Sequence, residues 1–342
     1  MQEIPFELGP IRPVAEAQSL LIRTTRGCPW NRCDFCTNYR HMEFSLRPVD
    51  EIKEDIRRAA VYYRGHPFTS CFLQDGDSFI MPTDDLLEVL RFLKEQFPTL
   101  QRISSYGRAH TMVRKSLEEM RAICQAGLNR LYCGLESGSD AVLAAIHKGA
   151  SAADMIQAGR NACEAGMEVS EFVILGIGGR QLWREHAIET ARVLNAINPH
   201  FIRVRSLGVK EGSALEEKVN RGEFEIPSEE EIIVEQRLLL EGLEGIDSYY
   251  SNDHAVNLLM EVEGQLPQDK PRMLALLDRY LALSPAEKTN FAVGRRLGDY
   301  ARLDDLYNVA LRQRVDQKTV ELTFRYPGRL EEIFHYVRSQ II

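Results

Sequence analysis

The chain has 342 residues, of which 44% are hydrophobic and 27% are charged, and its formal net charge at pH 7 is −8. These proportions are typical of a globular protein with one large or two ordinary domains, and the acidic balance argues against a protein that coats nucleic acid through a basic surface. The sequence has no apolar run near the roughly 20 residues that cross a bilayer and no signal-peptide pattern at its start, so we expect a cytoplasmic location without membrane attachment.

Strand-like apolar runs alternate with amphipathic helical patterns over most of the chain. The predicted strands are residues 20–25, 69–74, 101–106, 130–136, 168–175 and 201–207. The predicted helices between them are residues 49–64, 84–97, 115–126, 153–165 and 183–196. This alternation predicts an α/β fold with parallel strands and right-handed crossovers, either a doubly wound sheet or a partial or full (β/α) barrel.

The alternation fades after about residue 225. A helix is predicted over residues 229–243 and a short strand over 246–250, and the sequence from 255 onward is mainly helical in pattern. We therefore expect an N-terminal segment (1–17), a barrel core (18–255) and a helical C-terminal region (256–342).

Three cysteines stand together just after the first predicted strand: Cys28, Cys33 and Cys36. Three clustered thiols can hold a metal ion or an iron–sulfur cluster and leave one coordination position open for chemistry. A zinc site with His41 as fourth ligand is the alternative. The remaining cysteines are scattered and are predicted to be small buried residues; they are Cys71, Cys124, Cys133 and Cys163.

Polar or glycine-rich segments follow the later strands, at residues 75–78, 107–108, 136–138 and 176–179. Because the carboxyl ends of parallel strands lie at one edge of a sheet or barrel, these segments are predicted to be functional. Each also has a structural interpretation. The sequence Asp75-Gly76-Asp77 is common in turns, Glu136 could pair with Arg108, and the glycines at 176–179 resemble a nucleotide-phosphate loop.

The cysteine spacing C-x4-C-x2-C, with Phe35 before the last cysteine, resembles that of the radical S-adenosylmethionine (SAM) superfamily, whose usual spacing is one residue shorter. In motif style the chain is closest to the oxygen-independent coproporphyrinogen oxidases. The resemblance implies a TIM-like barrel and a [4Fe–4S] cluster held by Cys28, Cys33 and Cys36. It further implies SAM bound to the fourth iron and an external electron donor of the flavodoxin or ferredoxin type.

The same resemblance implies a set of SAM contacts at the strand ends. Alternation along the fourth predicted strand turns Glu136 toward the interior, where SAM's hydroxyl or ammonium groups would satisfy its carboxylate. The full set of implied contacts is Phe35, Asp75, Gly76, Asp77, Arg108, Glu136 and Ile177.

Further candidate catalytic residues are Arg205, Asp253 and His254. Alternation places Arg203 and Arg205 inside the barrel, where a guanidinium would bind a carboxylate or phosphate. The alternative is a structural pairing with Glu171 or Glu136. His254 beside Asp253 could transfer protons, whereas the alternative is a helix cap before a helix at 255–261.

The resemblance implies a radical SAM enzyme, an Fe–S oxidoreductase that cleaves SAM reductively to a 5′-deoxyadenosyl radical, and we expect it to abstract hydrogen from a small molecule. Within the same class, the alternative is an RNA-modifying enzyme. Outside it, the alternative is a zinc-stabilised binding protein without catalysis. The acidic charge favours the small-molecule substrate over nucleic acid.

Overall fold

The computed structural model describes residues 4–341, so the first three residues of the predicted N-terminal segment and Ile342 lie outside the described residues. The strands are β1 (Leu20–Arg23), β2 (Thr25–Arg26), β3 (Ser45–Leu46), β4 (Ser70–Gln74), β5 (Arg102–Gly107), β6 (Leu128–Glu136), β7 (Glu168–Leu175), β8 (Phe201–Ser206), β9 (Tyr249–Ser251) and β10 (Gly264–Gln265).

The α-helices occupy the crossovers and most of the C-terminal part. They are α1 (Val49–Tyr62), α2 (Thr83–Gln96), α3 (Ala109–Met112), α4 (Leu117–Ala126), α5 (Asp140–Ala145), α6 (Ala152–Glu164), α7 (Gly179–Ile197), α8 (Ala214–Asn220), α9 (Glu229–Gly242), α10 (Lys270–Leu281), α11 (Pro285–Arg296), α12 (Val309–Arg325) and α13 (Leu330–Gln340). Among residues 4–341, no helix has both the length and the apolar character needed to cross a membrane.

The main sheet is mostly parallel, with strand order β1-β4-β5-β6-β7-β8-β9-β10, and only β10 pairs antiparallel to its neighbour β9 among the pairings described. Strands that are adjacent in the alternating part of the chain are also adjacent in the sheet, as expected for successive βα units. The predicted α/β fold is therefore confirmed.

The described chain divides into two compact units. The first contains the described residues up to Leu135 together with Lys148–Glu171, and the second contains Glu136–His147 and the described residues from Phe172 onward. Strand β7 contributes its first half to one unit and its second half to the other.

In the first unit, one face of the strands packs against the helices. Alternate residues of β6, Leu131 and Cys133, are buried in an apolar cluster with Met120 and Ile123 of α4. Tyr132 faces the other way, and its ring makes an edge contact with Phe72 at 6.2 Å. This alternation agrees with the predicted orientation of β6 and leaves the second face of the strands for aromatic and polar side chains.

Helix starts in both units carry capping boxes that the sequence makes visible. Ser116 accepts from the backbone N–H of Glu119 while the Glu119 carboxylate accepts from the Ser116 N–H, at the start of α4. The same arrangement opens α6, α9 and α11. These reciprocal bonds satisfy backbone donors that have no partner within the helix.

In the second unit, α7 packs against α9, and α9 against α10. A buried ion-pair cluster ties α13 to this group. The Glu229 carboxylate contacts Arg296 at 2.7 Å and Arg338 at 2.8 Å, and all three side chains are nearly inaccessible. A buried carboxylate needs such partners, because an unpaired charge in the interior is costly.

The helix predicted over residues 255–261 is wrong. This segment consists of turns and bends, and its one asparagine, Asn257, binds distant backbone instead. The Asn257 carboxamide accepts from Ser206 N at 2.7 Å and donates to Val204 O at 2.9 Å. These bonds to β8 compete with a local helix, and the hydropathy pattern carries no sign of them.

Candidate functional site

The three clustered cysteines lie on one loop, residues 27–44, which we call the cysteine loop. It connects β2 with β3, and these two strands pair antiparallel through Thr25 with Leu46 and Arg26 with Ser45, which brings the loop's two ends together. All three cysteines are partly exposed, and none is in a disulfide.

The start of the cysteine loop is fixed to the end of β4. Gly76 N donates to Gly27 O at 3.2 Å, and the Asp75 carboxylate accepts from Gly27 N at 3.1 Å and from Arg23 Nε at 2.8 Å. A Cβ atom added at Gly76 would lie 2.9 Å from Cys28 Cβ. Glycine is therefore required for the end of β4 to lie against Cys28.

Tyr39 is a buried aromatic residue of the cysteine loop. Its side chain is buried, and among the described residues its hydroxyl has no hydrogen-bond partner. Burial raises the pKa of Tyr39, and Asp75, Tyr106 and Cys28 act in the same direction. A buried hydroxyl without a partner is unusual, and the Tyr39 ring lies close to Gly76, where an added Cβ atom would be 3.2 Å from it. Sequence reasoning missed this residue, although an aromatic side chain within a cysteine-rich loop was a visible signal.

Three thiols on one loop are the ligand type that an iron–sulfur cluster takes, with one iron left open. Within residues 4–341, no three Cys, His, Asp or Glu side chains converge as they would around one metal ion. In a [4Fe–4S] cluster each thiolate binds a different iron, so the sulfur ligands lie farther apart than the ligands of one ion. His41, the fourth ligand in the zinc alternative, is exposed.

Asp77 connects the end of β4 to the segment that follows β5. Its carboxylate, which is fully buried, accepts from Thr111 Oγ1 at 2.6 Å and from Arg108 N at 3.4 Å. Burial raises the pKa of Asp77 to about 6, and the Thr111 hydrogen bond opposes the rise without cancelling it. Burial of the Asp77 carboxylate therefore destabilises its charged form, while its hydrogen bonds hold the start of α3.

Replacing Asp77 with asparagine is expected to remove this cost. An ordinary unfolded Asp ionises near pH 4, so the wild type should lose unfolding free energy as the pH rises from about 4 to about 6, and no more above that. The raised pKa of Asp77 corresponds to a loss of about 2 to 3 kcal/mol in unfolding free energy over this pH range. Urea unfolding of both proteins in the absence of SAM, from pH 4 to 7, measures it.

The control for this prediction is Glu95→Gln, which removes an exposed carboxyl from α2 in the same unit. That variant should keep the wild-type pH dependence. An Asp77→Asn protein whose unfolding free energy follows the wild-type slope between pH 4 and 6 would contradict the assignment.

Cationic side chains stack on the aromatic residues of the cysteine loop. The guanidinium of Arg32 lies 5.4 Å from the centroid of the Trp30 ring, and that of Arg108 lies 5.5 Å from it. The Lys148 ammonium lies 6.0 Å from the centroid of the Phe35 ring. Cation–π contacts of this kind favour an ordered loop. The first unit thus brings Arg108 to the cysteine loop, and places Phe35 on it beside Lys148.

In the second unit, Glu136 is the last residue of β6 and Ile177 follows β7. Glu136 ends β6, is nearly buried and has a left-handed backbone with φ +60°. Ile177 is buried in the turn after β7, where its N–H donates to Ile174 O at 3.3 Å. A left-handed conformation in a residue other than glycine is costly and is often found at functional sites.

The three candidate catalytic residues of the second unit have separate surroundings. Arg205 is half-buried on β8. Asp253 is exposed and pairs with Arg203 at 3.2 Å. His254 Nδ1 accepts from Val256 N at 3.2 Å. The sequence suggested Glu171 or Glu136 as the acidic partner of these arginines, whereas Arg203 pairs with Asp253.

Comparisons with known proteins agree with this architecture. Residues 22–192 match the sequence model of the radical SAM superfamily. An uncharacterized protein of Methanocaldococcus jannaschii is 23% identical over 237 residues, which cover 65% of this chain and 70% of that protein.

Two solved structures share the fold. The cobalamin-dependent S-adenosylmethionine radical enzyme OxsB, with aqua-cobalamin and S-adenosylmethionine bound, gives a TM-score of 0.52 at 13% identity, covering 94% of this chain and 58% of that one. Coproporphyrinogen III oxidase from Escherichia coli gives a TM-score of 0.51 at 17% identity, covering 65% of this chain and 52% of that one. The match thus spans just over half of each solved structure.

The superfamily match covers half of the chain, and the fold likeness agrees with it. The chain therefore belongs to the radical SAM superfamily, whose enzymes use a [4Fe–4S] cluster and S-adenosylmethionine as cofactors.

Proposed function

We propose that Cys28, Cys33 and Cys36 hold the [4Fe–4S] cluster and that the chain abstracts hydrogen from a small-molecule substrate. The observation that carries this proposal is the cysteine loop, whose three partly exposed thiols lie on one segment with its start fixed against Gly76. By contrast, burial raises the pKa of Cys71 and of Cys133 well above the usual range, which disfavours the thiolate that binds iron.

The residues around Gly76 support a role in binding SAM. Asp75 and Asp77 flank it, and their carboxylates are held by Arg23 on one side and by Thr111 on the other. We propose that these contacts fix the backbone at Gly76 so that it can bind the amino group of SAM. Asp75 and Asp77 would then act chiefly by holding this turn.

Other SAM contacts are proposed from the family resemblance. In the first unit they are Phe35 and Arg108, and in the second they are Glu136 and Ile177. The strained backbone of Glu136 and the burial of Ile177 support this assignment. When bound, the cluster and SAM supply a 5′-deoxyadenosyl radical, and the protein's own residues orient SAM and exclude water.

The substrate is proposed to be a small molecule that carries a carboxylate. Arg205 is half-buried on β8, where a guanidinium can bind a carboxylate in a bidentate way. Asp253 and His254 stay candidates for proton transfer. The reducing electron is proposed to come from an external donor of the flavodoxin or ferredoxin type.

Anaerobic cluster reconstitution followed by reduction in the presence of SAM tests the function. We expect a brown protein with about four irons and four sulfides that forms 5′-deoxyadenosine and methionine. A reconstituted, reduced protein that forms no 5′-deoxyadenosine would overturn the proposal, and a colourless zinc protein would favour the zinc alternative.

The RNA-modifying alternative is tested by filter binding to tRNA across a range of salt concentrations. A protein that reads RNA through phosphate contacts should bind with an affinity that falls steeply with salt. For a small-molecule enzyme we expect weak binding, together with faster 5′-deoxyadenosine formation when the correct carboxylate-bearing metabolite is added.

A further inference from the structure

A buried polar chain crosses the second unit with His186 at its centre. The His186 ring, on α7, is inaccessible to solvent, and its Nδ1 lies 2.8 Å from Ser137 Oγ. On the opposite side, Nε2 lies 3.3 Å from Glu235 Oε1 on α9, a close polar contact rather than a well-aligned hydrogen bond. The ring therefore joins three separate elements of the unit.

The contacts on both sides of the ring favour one tautomer of the neutral imidazole. Ser137 Oγ accepts from Ser139 N at 3.1 Å, so its own proton is available to His186 Nδ1. With Nδ1 as acceptor, the ring proton lies on Nε2 and faces the Glu235 carboxylate. The opposite tautomer would direct a lone pair at that carboxylate and is disfavoured.

At both of its ends, the buried polar chain through His186 contacts backbone that follows a strand. Glu235 Oε1 accepts from Gly176 N at 2.6 Å, in the turn after β7, where φ is +87°. At the other end, Ser137 directly follows Glu136, and the next residue, Gly138, donates its N–H to Thr190 Oγ1 at 2.8 Å. His186 thus links the turn after β6 to the turn after β7.

We infer that His186 is a positioning residue for SAM binding. On one side its ring contacts Ser137, which directly follows Glu136. On the other side it contacts Glu235, which binds Gly176 N. Gly176 directly precedes Ile177. The left-handed backbone of Glu136 persists only if surrounding contacts impose it, and the His186 chain supplies such contacts. This inference rests on the proposed function, in which Glu136 and Ile177 contact SAM.

Two substitutions of His186 test the inference in the reconstituted protein. His186→Leu puts an apolar side chain of similar size in place of the imidazole and removes both polar contacts. We expect SAM affinity to fall by about tenfold or more. His186→Gln carries an amide that can still donate to Glu235, and we expect it to recover most of the affinity. The measurement is the dissociation constant of SAM by calorimetry under anaerobic conditions.

Hydrogen exchange supplies a readout that does not depend on activity. In His186→Leu without SAM, peptides containing Gly138 and Gly176 should exchange faster than in the wild type. Their acceptors, Thr190 Oγ1 and Glu235 Oε1, each lie 3.3 Å from a nitrogen of the His186 ring and lose that contact in the variant. Peptides from α11 should exchange at the wild-type rate. The control variant is His335→Gln, which removes a histidine contact to Pro227 O in the same unit and should leave SAM affinity unchanged.

Glu136→Gln separates failure of the inference from failure of the proposed function. If Glu136→Gln binds SAM like the wild type, the proposed contact is wrong and the inference is overturned with it. If Glu136→Gln weakens binding while folded His186→Leu binds SAM normally, only the inference is overturned. Should His186→Leu fail to fold, Ser137→Ala takes its place: weaker SAM binding supports the inference, and wild-type affinity overturns it.

Discussion

Replacing Cys33 with alanine is expected to abolish formation of 5′-deoxyadenosine, with a loss of at least about a hundredfold. Cys33 is the middle of the three thiols of the cysteine loop, and its carbonyl accepts from Cys36 N at 3.1 Å. In the proposed site, removing its sulfur would leave two thiolates for a cluster that takes three from the protein. Iron and sulfide content after reconstitution should fall with the activity.

The matched control is Cys163→Ala, in α6 of the same unit. Burial raises the pKa of the Cys163 thiol to about 11, and Glu171 adds to the rise, so this thiol stays protonated. The variant should retain wild-type iron, sulfide and SAM cleavage. A Cys33→Ala protein that kept a full, catalytically competent cluster would show that the ligands are elsewhere.

Replacing Gly138 with alanine is expected to destabilise the protein by about 3 kcal/mol. An added Cβ would lie 2.3 Å from Glu189 O and 2.6 Å from Thr190 Cα, both on the backbone of α7. Helix backbone cannot yield as a flexible side chain can, so α7 would have to move away. The bond from Gly138 N to Thr190 would be strained as well.

Gly222→Ala is the control for this second prediction. Gly222 lies in the same unit with φ +72°, and a Cβ there would meet nothing within 4 Å. Its substitution should cost only the left-handed backbone penalty of about 1 kcal/mol. Urea unfolding of both variants gives the comparison, and equal losses of stability would show that the contact with α7 is not the cause.

The alternating part of the fold was predictable because its signals are local. Strand β7 has the predicted bounds, and it is bracketed by Gly166 and Gly176, each with a positive φ. Helix α1 begins at the predicted residue and ends two residues early. Apolar periodicity and glycine punctuation are properties of neighbouring residues, and here tertiary contacts did not override them.

The predictions were wrong or incomplete where distant residues decide the structure. The turns at 255–261 depend on Asn257, which binds β8 across more than fifty positions of sequence. The predicted strand at 246–250 differs for a similar reason: β9 begins at Tyr249, where pairing with Phe201 fixes its register. Such partners leave no mark on the local pattern.

The candidate site was predictable in its chemistry and only partly in its contacts. The cysteine triad and the glycine at 76 could be proposed as site residues from residue type and position, and their roles stay predictions. The partners of His186 lie 49 residues before it and 49 after it, so no local pattern joins them. A polar residue on the buried face of α7 was the available signal, because a buried imidazole needs partners.

The packing of Trp30 gives the cysteine loop an optical property. Its indole lies over Gly149, where an added Cβ would come within 2.4 Å of the ring, and it is one of only two tryptophans in the chain. The other, Trp183, is on α7. In a Trp183→Phe background, all indole emission would therefore originate beside the cysteines, and iron loading could be followed as quenching of that single emitter.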